Sequence, residues 1–132
     1  MDLNTFLQSF PFVQRLDASH NDLILKFFCA PSRSQKRLSL LYDRSPNFFQ
    51  LLTYSTPHSF VLGIKNDQQE LEVLSSFSLY QGKDGVDSLY LGDLKVKTKN
   101  EETKRIWREF GQKFIENLPQ IDEFKKVRFI HM

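Results

Sequence analysis

Alternating apolar and polar stretches in the middle of the chain predict three consecutive β-strands. Two apolar stretches, residues 59–64 and 71–80, flank the polar residues 65–69, which is the pattern of an antiparallel hairpin. A second polar turn at residues 81–85 precedes a third apolar stretch at residues 86–96. This order predicts an antiparallel meander of three strands.

From Thr98 onward the spacing of apolar residues changes, which predicts an amphipathic helix. Apolar residues recur along one face until Pro119 ends the pattern: Ile106, Phe110, Phe114 and Leu118. Thr98 and Glu101 have the spacing of a capping box at the start of this helix. We expect the apolar stripe to lie in the core and Trp107 to cover the seam beside it.

The last stretch, residues 124–132, alternates basic and apolar side chains and predicts a final strand. Because a helix separates it from the meander, this strand should return parallel to the preceding one. Side chains alternate across a strand, and we expect Leu89, Leu91 and Val96 to face the core. The predicted fold class is α/β, a single domain over residues 1–132 with an antiparallel meander, a crossover helix and a final parallel strand in one mixed sheet.

The first third of the chain is less determined by its pattern. Residues 10–13 could form an edge strand, and residues 23–28 form either a strand or a turn of helix, because so short an apolar run has no decisive period. Ser45 followed by Pro46 is typical of a helix start, and it predicts a helix through residues 47–52.

Composition and charge place the chain among globular proteins and exclude several classes of partner. Its 132 residues are 40% hydrophobic and 26% charged, which is ordinary for one folded domain. A net charge of +2 is too small to attract nucleic acid or a membrane surface by itself. The chain has one cysteine and no apolar run of the roughly 18 residues that cross a bilayer. We therefore expect a soluble cytoplasmic protein with no membrane and no nucleic-acid partner.

The segment Tyr90–Val96 reads YLGDLKV and is the most distinctive motif in the chain. Together with LYDRSPNFF at residues 41–49 and FVLGI at residues 60–64, it resembles the GNAT superfamily of acyltransferases over about residues 38–132. The resemblance implies a GNAT-like N-terminal lobe, in which the motif is the fourth strand. The helix over residues 101–118 would then receive the pyrophosphate of acyl-coenzyme A.

The resemblance also implies a cofactor and a way of holding it. GNAT enzymes splay their fourth and fifth strands so that the pantetheine arm of acyl-coenzyme A enters between them. The backbone of Leu94, Lys95 and Val96 would pair with the amides of that arm. The donor would be acetyl-coenzyme A or another acyl-coenzyme A, and the acceptor an amine on a small molecule or a protein.

Two side chains of the same strand are candidates for catalysis. Asp93 is either the general base that deprotonates the amine or a structural carboxylate that holds backbone N–H groups at a bulge beside Gly92. Tyr90 either protonates the leaving thiolate, as the resemblance implies, or packs as an ordinary strand aromatic. The sequence leaves both pairs of alternatives open.

The segment after the motif departs from the GNAT pattern. GNAT enzymes carry glycines there, so that backbone N–H groups at a helix N-terminus can approach the pyrophosphate. Residues 97–103 contain no glycine, and Glu101 and Glu102 bring negative charge to the first turn. Lys97 and Lys99 are the cofactor-binding candidates that would offset this repulsion. We expect the binding of coenzyme A to be weak or absent.

A second departure concerns the last strand. GNAT chains continue beyond the fifth strand with a helix and two further strands, whereas this sequence ends at Met132. We expect a partner chain or a C-terminal half to cover this strand, because an apolar edge strand favours association. The two departures support a competing interpretation, in which the chain is a non-catalytic interaction or regulatory module on a GNAT-like scaffold.

The other reactive side chains carry weaker patterns. Cys29 has no base paired with it in sequence and is interpreted as a small buried hydrophobe. The three histidines lack the spacing of metal ligands: His20, His58 and His131. Two basic clusters are interpreted as solvated surface rather than phosphate sites: Arg33, Lys36 and Arg37, and Lys125, Lys126 and Arg128.

Overall fold

A computed structural model of the protein describes residues 1–29 and 58–132. Helices and strands follow in the order α1 (Leu3–Leu7), β1 (Gln14–Leu16), α2 (Asn21–Cys29), β2 (Ser59–Lys65), β3 (Leu71–Gln81), β4 (Asp87–Val96), α3 (Glu101–Asn117) and β5 (Val127–His131). The basic loop at residues 33–37, the helix predicted from Ser45 and Pro46, and the motif at residues 41–49 lie outside the described residues.

The five strands of the described residues form one mixed sheet in the order β1-β2-β3-β4-β5. β1 to β4 pair antiparallel as a meander, and β5 returns parallel to β4 after the crossover through α3. Leu89 is fully buried and Leu91 packs against the same core. The structure therefore confirms the predicted α/β fold with its meander, crossover helix and parallel last strand.

β4 carries a β-bulge where it passes β3. Asp93 and Leu94 together lie opposite the single residue Ser75. The extra residue shifts the alternation, so that Val96 pairs with the core residue Val73. Val96 is nevertheless 44% exposed, because it lies at the end of the strand. The prediction that Val96 is a core residue is therefore wrong, although its position opposite Val73 fits the expected direction.

Apolar side chains cover both faces of the sheet, because neighbouring residues of a strand point to opposite faces. In β2, Phe60 and Leu62 belong to one core cluster, and Val61 between them belongs to another. α1 and α3 contribute to the first cluster, and α2 contributes Ile24 and Phe27 to the second. The described residues thus form three layers with the sheet in the middle.

α3 packs on the sheet through the apolar stripe that the sequence predicts. Phe110, Phe114 and Leu118 are buried, while Ile106 and Trp107 are partly buried against the same cluster. The predicted capping box is wrong in detail, because the N-cap is a different residue: the side chain of Asn100 accepts a hydrogen bond from the Glu102 N–H at 2.9 Å. Thr98 instead accepts from the Asn100 N–H at 3.0 Å.

The N-terminal segment differs from the predictions in two places and settles one open alternative. Residues 10–13 form turns rather than an edge strand, and the edge strand β1 follows them at Gln14. The turn brings Phe10 against Phe110, with ring centroids 5.3 Å apart. Residues 23–28 belong to α2, which settles the ambiguity in favour of helix. The short helix α1 has no counterpart in the sequence predictions, because its five residues span little more than one turn.

The Phe114→Ala substitution should destabilise the fold by about 3–5 kcal/mol, because it leaves a cavity in the middle of the core. Phe114 is 2% exposed, and its ring contacts four others: Phe6, Phe77, Phe110 and Phe124. Urea unfolding measures the loss. The control Glu116→Ala changes an exposed residue of the same helix and should cost less than about 1 kcal/mol. Equal losses in the two variants would contradict the assigned core.

Candidate functional site

An apolar cleft of about 480 Å³ lies between β4 and α3. Gly92 and Leu94 line its β4 wall, and Trp107, Gly111 and Ile115 line its α3 wall. None of the described lining residues has a side chain that is charged at neutral pH. Its volume falls within the range of about 300–1,000 Å³ that is usual for ligand pockets. The cleft suits a neutral, mainly apolar ligand.

β4 has a free edge beside this cleft. β5 pairs with β4 between Asp87 and Tyr90, and no strand of the described residues lies along the same edge from Leu91 onward. Leu94 is 62% exposed there. Backbone N–H and C=O groups on a free strand edge can pair with an extended ligand. The edge therefore supplies polar groups next to an otherwise apolar cleft.

Tyr90 lies where this free edge begins, and it lines the cleft with 45% of its surface exposed. A Cβ atom at Gly92 would come within 3.0 Å of Tyr90 Cε1, so the glycine leaves room for the ring. The bulge considered beside Gly92 is present, and the backbone of Asp93 forms part of it. The side chain of Asp93 is outside the described part of the structure, so its role stays a prediction.

The side chains of the three predicted cofactor-binding lysines lie elsewhere than the lining of the cleft. Lys95 Nζ donates a hydrogen bond to the backbone carbonyl oxygen of Phe27 at 3.3 Å and lies 5.4 Å from the centroid of the Phe27 ring. It thus stabilises the last turn of α2, where a cation interacts favourably with the helix dipole. Lys97 and Lys99 line a separate groove of about 360 Å³ beside Lys26 and Glu72. The prediction for Lys95 concerns its backbone and not this side chain, and the cofactor-binding roles of Lys95, Lys97 and Lys99 stay predictions.

The N-terminus of α3 is capped by a side chain of the protein itself and carries two carboxylates in its first turn. Asn100 caps it, and Glu101 pairs with Lys104 at 3.4 Å. The Glu102 carboxylate accepts hydrogen bonds from Arg105, which lower the pKa of Glu102 below its ordinary value. Negative charge in the first turn occupies the place where the helix dipole favours an anion. These residues do not fit a bound pyrophosphate, and the weak binding of coenzyme A stays a prediction.

Sequence reasoning missed the cleft and the glycine in its α3 wall. The one available signal was Gly111, an isolated glycine inside a helical pattern.

Cys29 ends α2, but its side chain lies outside the described part of the structure. His58 and His131 are exposed, and within residues 1–29 and 58–132 no cluster of three or more potential metal ligands occurs. In the same residues, no helix is long and apolar enough to cross a membrane.

Solved acetyltransferase structures share this arrangement of helices and strands. An aminoglycoside acetyltransferase from an uncultured soil metagenomic sample aligns with a TM-score of 0.56 at 9% identity, over 89% of this chain and 75% of its own. A Trypanosoma brucei acetyltransferase aligns with a TM-score of 0.52 at 11% identity, over 89% and 78%. The fold is the GNAT fold.

A third structure agrees, the aminoglycoside 6'-N-acetyltransferase from Acinetobacter baumannii. It aligns to the GNAT fold of this chain with a TM-score of 0.51 at 12% identity, over 91% of this chain and 77% of its own. No protein-family model matches the sequence, and no curated protein matches it. The likeness therefore shows the GNAT fold, while function has to be argued from the site.

Lowering the pH should remove the stabilising contribution of ionised Glu102. Because its pKa is lowered in the folded chain, the contribution is present above the ordinary carboxyl pKa and is lost as the pH falls through the folded value. Between about pH 6 and about pH 3, we expect the thermal midpoint of the unmodified chain to fall more steeply than that of Glu102→Gln. Circular dichroism measures both. Arg105→Gln should show the same reduced slope, and equal slopes in all three chains would argue against this ion pair.

Proposed function

We propose that this chain is an acyltransferase domain that moves an acyl group from an acyl-coenzyme A thioester to an amine. The observation that carries the proposal is the bulged strand β4, whose free edge borders an uncharged apolar cleft within a GNAT fold. The amine acceptor and the cytoplasmic location stay predictions from the sequence.

The cleft and the strand edge supply the two kinds of contact that a pantetheine thioester needs. The backbone of Leu94, Lys95 and Val96 lies on the free edge, where its polar groups would pair with the amides of the arm. The apolar wall of α3, including Trp107 and Ile115, would cover the carbon chain and exclude water. Excluding water protects a thioester from hydrolysis.

Acyl transfer requires one proton to leave the amine and one to reach the sulfur. The amine nitrogen forms a bond to the thioester carbonyl carbon, and the carbon–sulfur bond breaks. Asp93 would accept the proton of the amine, directly or through water. Tyr90 would give its phenolic proton to the thiolate, and its position at the cleft where the free edge begins supports this role. The two residues are three positions apart along β4.

The residues at the N-terminus of α3 indicate that the nucleotide part of the donor contributes little to affinity. Its cap and its two glutamates oppose a pyrophosphate, and Lys97 and Lys99 lie in another groove. The pantetheine thioester should therefore supply most of the binding energy. A donor that lacks the nucleotide should bind almost as well as the complete coenzyme.

Isothermal titration calorimetry of the chain with acetyl-coenzyme A and with S-acetyl-pantetheine tests the proposal. We expect both to bind, with dissociation constants within about tenfold of each other. The double variant Glu101→Gln with Glu102→Gln should bind acetyl-coenzyme A more tightly, because it removes two negative charges, and should bind S-acetyl-pantetheine as before.

The matched control for this titration is Glu116→Gln, which removes one negative charge from the far end of α3. It should leave both affinities unchanged. Tyr90→Phe should still bind both donors but acetylate a test amine more slowly, since the leaving thiolate loses its proton donor. If neither donor binds to the unmodified chain, the proposal of acyl transfer fails.

A second candidate function is a non-catalytic interaction module, and the exposed edge strand β5 favours it. Phe129 is 57% exposed and Ile130 is 36% exposed, on opposite faces of the strand. Lys126 and Arg128 are exposed basic residues in and beside β5. Because a second copy would bring like charges together, the occupant that fits is an extended segment of another protein with acidic and apolar residues in alternation.

Fluorescence anisotropy with a labelled peptide of alternating valine and glutamate tests this second candidate. We expect binding that weakens as salt is added, because attraction between exposed charges is screened. The same peptide with lysine in place of glutamate should not bind, and Phe129→Asp should abolish binding of the acidic peptide. Equal binding of the two peptides would contradict the charge argument.

A further inference from the structure

Gly111 is a helix residue that neither packing nor backbone conformation requires to be glycine. It lies inside the 17-residue helix α3, where glycine destabilises a helix relative to alanine. Its backbone does not have a positive φ. A Cβ atom at this position would meet no heavy atom within 4 Å. The absence of a side chain here therefore leaves open space on the helix surface.

The open space faces the cleft. Trp107, Gly111 and Ile115 are spaced by four residues and lie along one face of α3, and all three line the cleft wall. Ile115 is 52% exposed, and Leu94 on the opposite wall is 62% exposed. Gly111 thus forms a notch between two large apolar side chains, and a third apolar side chain faces it across the cleft.

We propose that the Gly111 notch accommodates an aliphatic acyl chain longer than acetyl, so that the cleft selects the acyl group by its length. This inference rests on the proposed acyl transfer. It is supported by the absence of charged side chains from the described cleft walls, because an uncharged apolar lining complements a neutral hydrocarbon chain. Each additional methylene that enters the cleft should tighten binding about fourfold.

The test is a calorimetric series of S-acyl-pantetheines with acetyl, butanoyl, hexanoyl and octanoyl groups. For the unmodified chain we expect affinity to rise by about fourfold per methylene until the cleft is filled. Gly111→Leu should bind the acetyl compound as the unmodified chain does but should lose the gain with length, because its side chain fills the notch. Gly111→Ala should fall between the two.

The matched control is Gln112→Leu, which adds the same side chain to the next residue of α3, where it borders a different surface groove. It should keep the full dependence on chain length. Thermal unfolding checks that each variant is folded, and Gly111→Ala should unfold at a higher temperature than the unmodified chain.

Three results would overturn the inference. If affinity does not rise with chain length, the notch does not hold the acyl group, although acyl transfer itself would stand. If Gln112→Leu loses the length dependence as fully as Gly111→Leu, the effect does not come from the notch. If no thioester of the series binds, both the inference and the proposed acyl transfer fail.

Discussion

The packing of the α3 aromatic stripe on the sheet is the interaction on which the rest of the structure depends. Phe114 lies against Phe77 of β3, with ring centroids 5.5 Å apart. It also contacts Phe124, which precedes β5, at 5.6 Å, and Phe6 of α1 at 6.0 Å. One side chain therefore joins the sheet, the crossover helix, the N-terminal helix and the turn that leads to the last strand. Burial of such rings contributes the largest share of the hydrophobic stabilisation.

The same packing creates the cleft. Because Phe110 and Phe114 hold one face of α3 on the sheet, the neighbouring face with Gly111 is held at a distance from β4. The bulge at Asp93 and Leu94 then shifts the alternation of β4, and Leu94 is left largely exposed. A rigid core thus positions a pocket wall that would be too mobile on a loop.

The charges at the start of α3 oppose the binding of an anion there, whereas the neighbouring cleft suits an apolar ligand. Asn100 accepts a hydrogen bond from the Glu102 N–H, and the two glutamates place negative charge where the helix dipole favours it. That arrangement stabilises the helix in the absence of a ligand, and it competes with any anion that would bind there. Under the proposed function, an apolar cleft beside such a helix terminus would favour the uncharged part of the coenzyme over its phosphates.

The sequence by itself determined the elements whose signals are local. Periodicity identified the hairpin, the third strand and the α3 stripe, because these patterns follow from which faces must be buried. The parallel return of β5 followed from the helix that separates it from the meander. The motif Tyr90–Val96 indicated the GNAT fold. The predicted N-cap Thr98 was wrong, since Thr98 and Asn100 are both suitable caps and only the backbone path distinguishes them.

Only the tertiary structure decided which candidate site residues line the cleft and which have side-chain contacts elsewhere. Lys95 is drawn to the carbonyl of Phe27, a residue 68 positions away in the chain, and no local pattern reveals such a contact. Val96 is exposed because it lies at the end of β4. The cleft depends on the distance between β4 and α3, which the packing of the aromatic rings sets. These features arise from contacts between distant segments, whereas the sequence patterns report which residues are neighbours on one strand or helix.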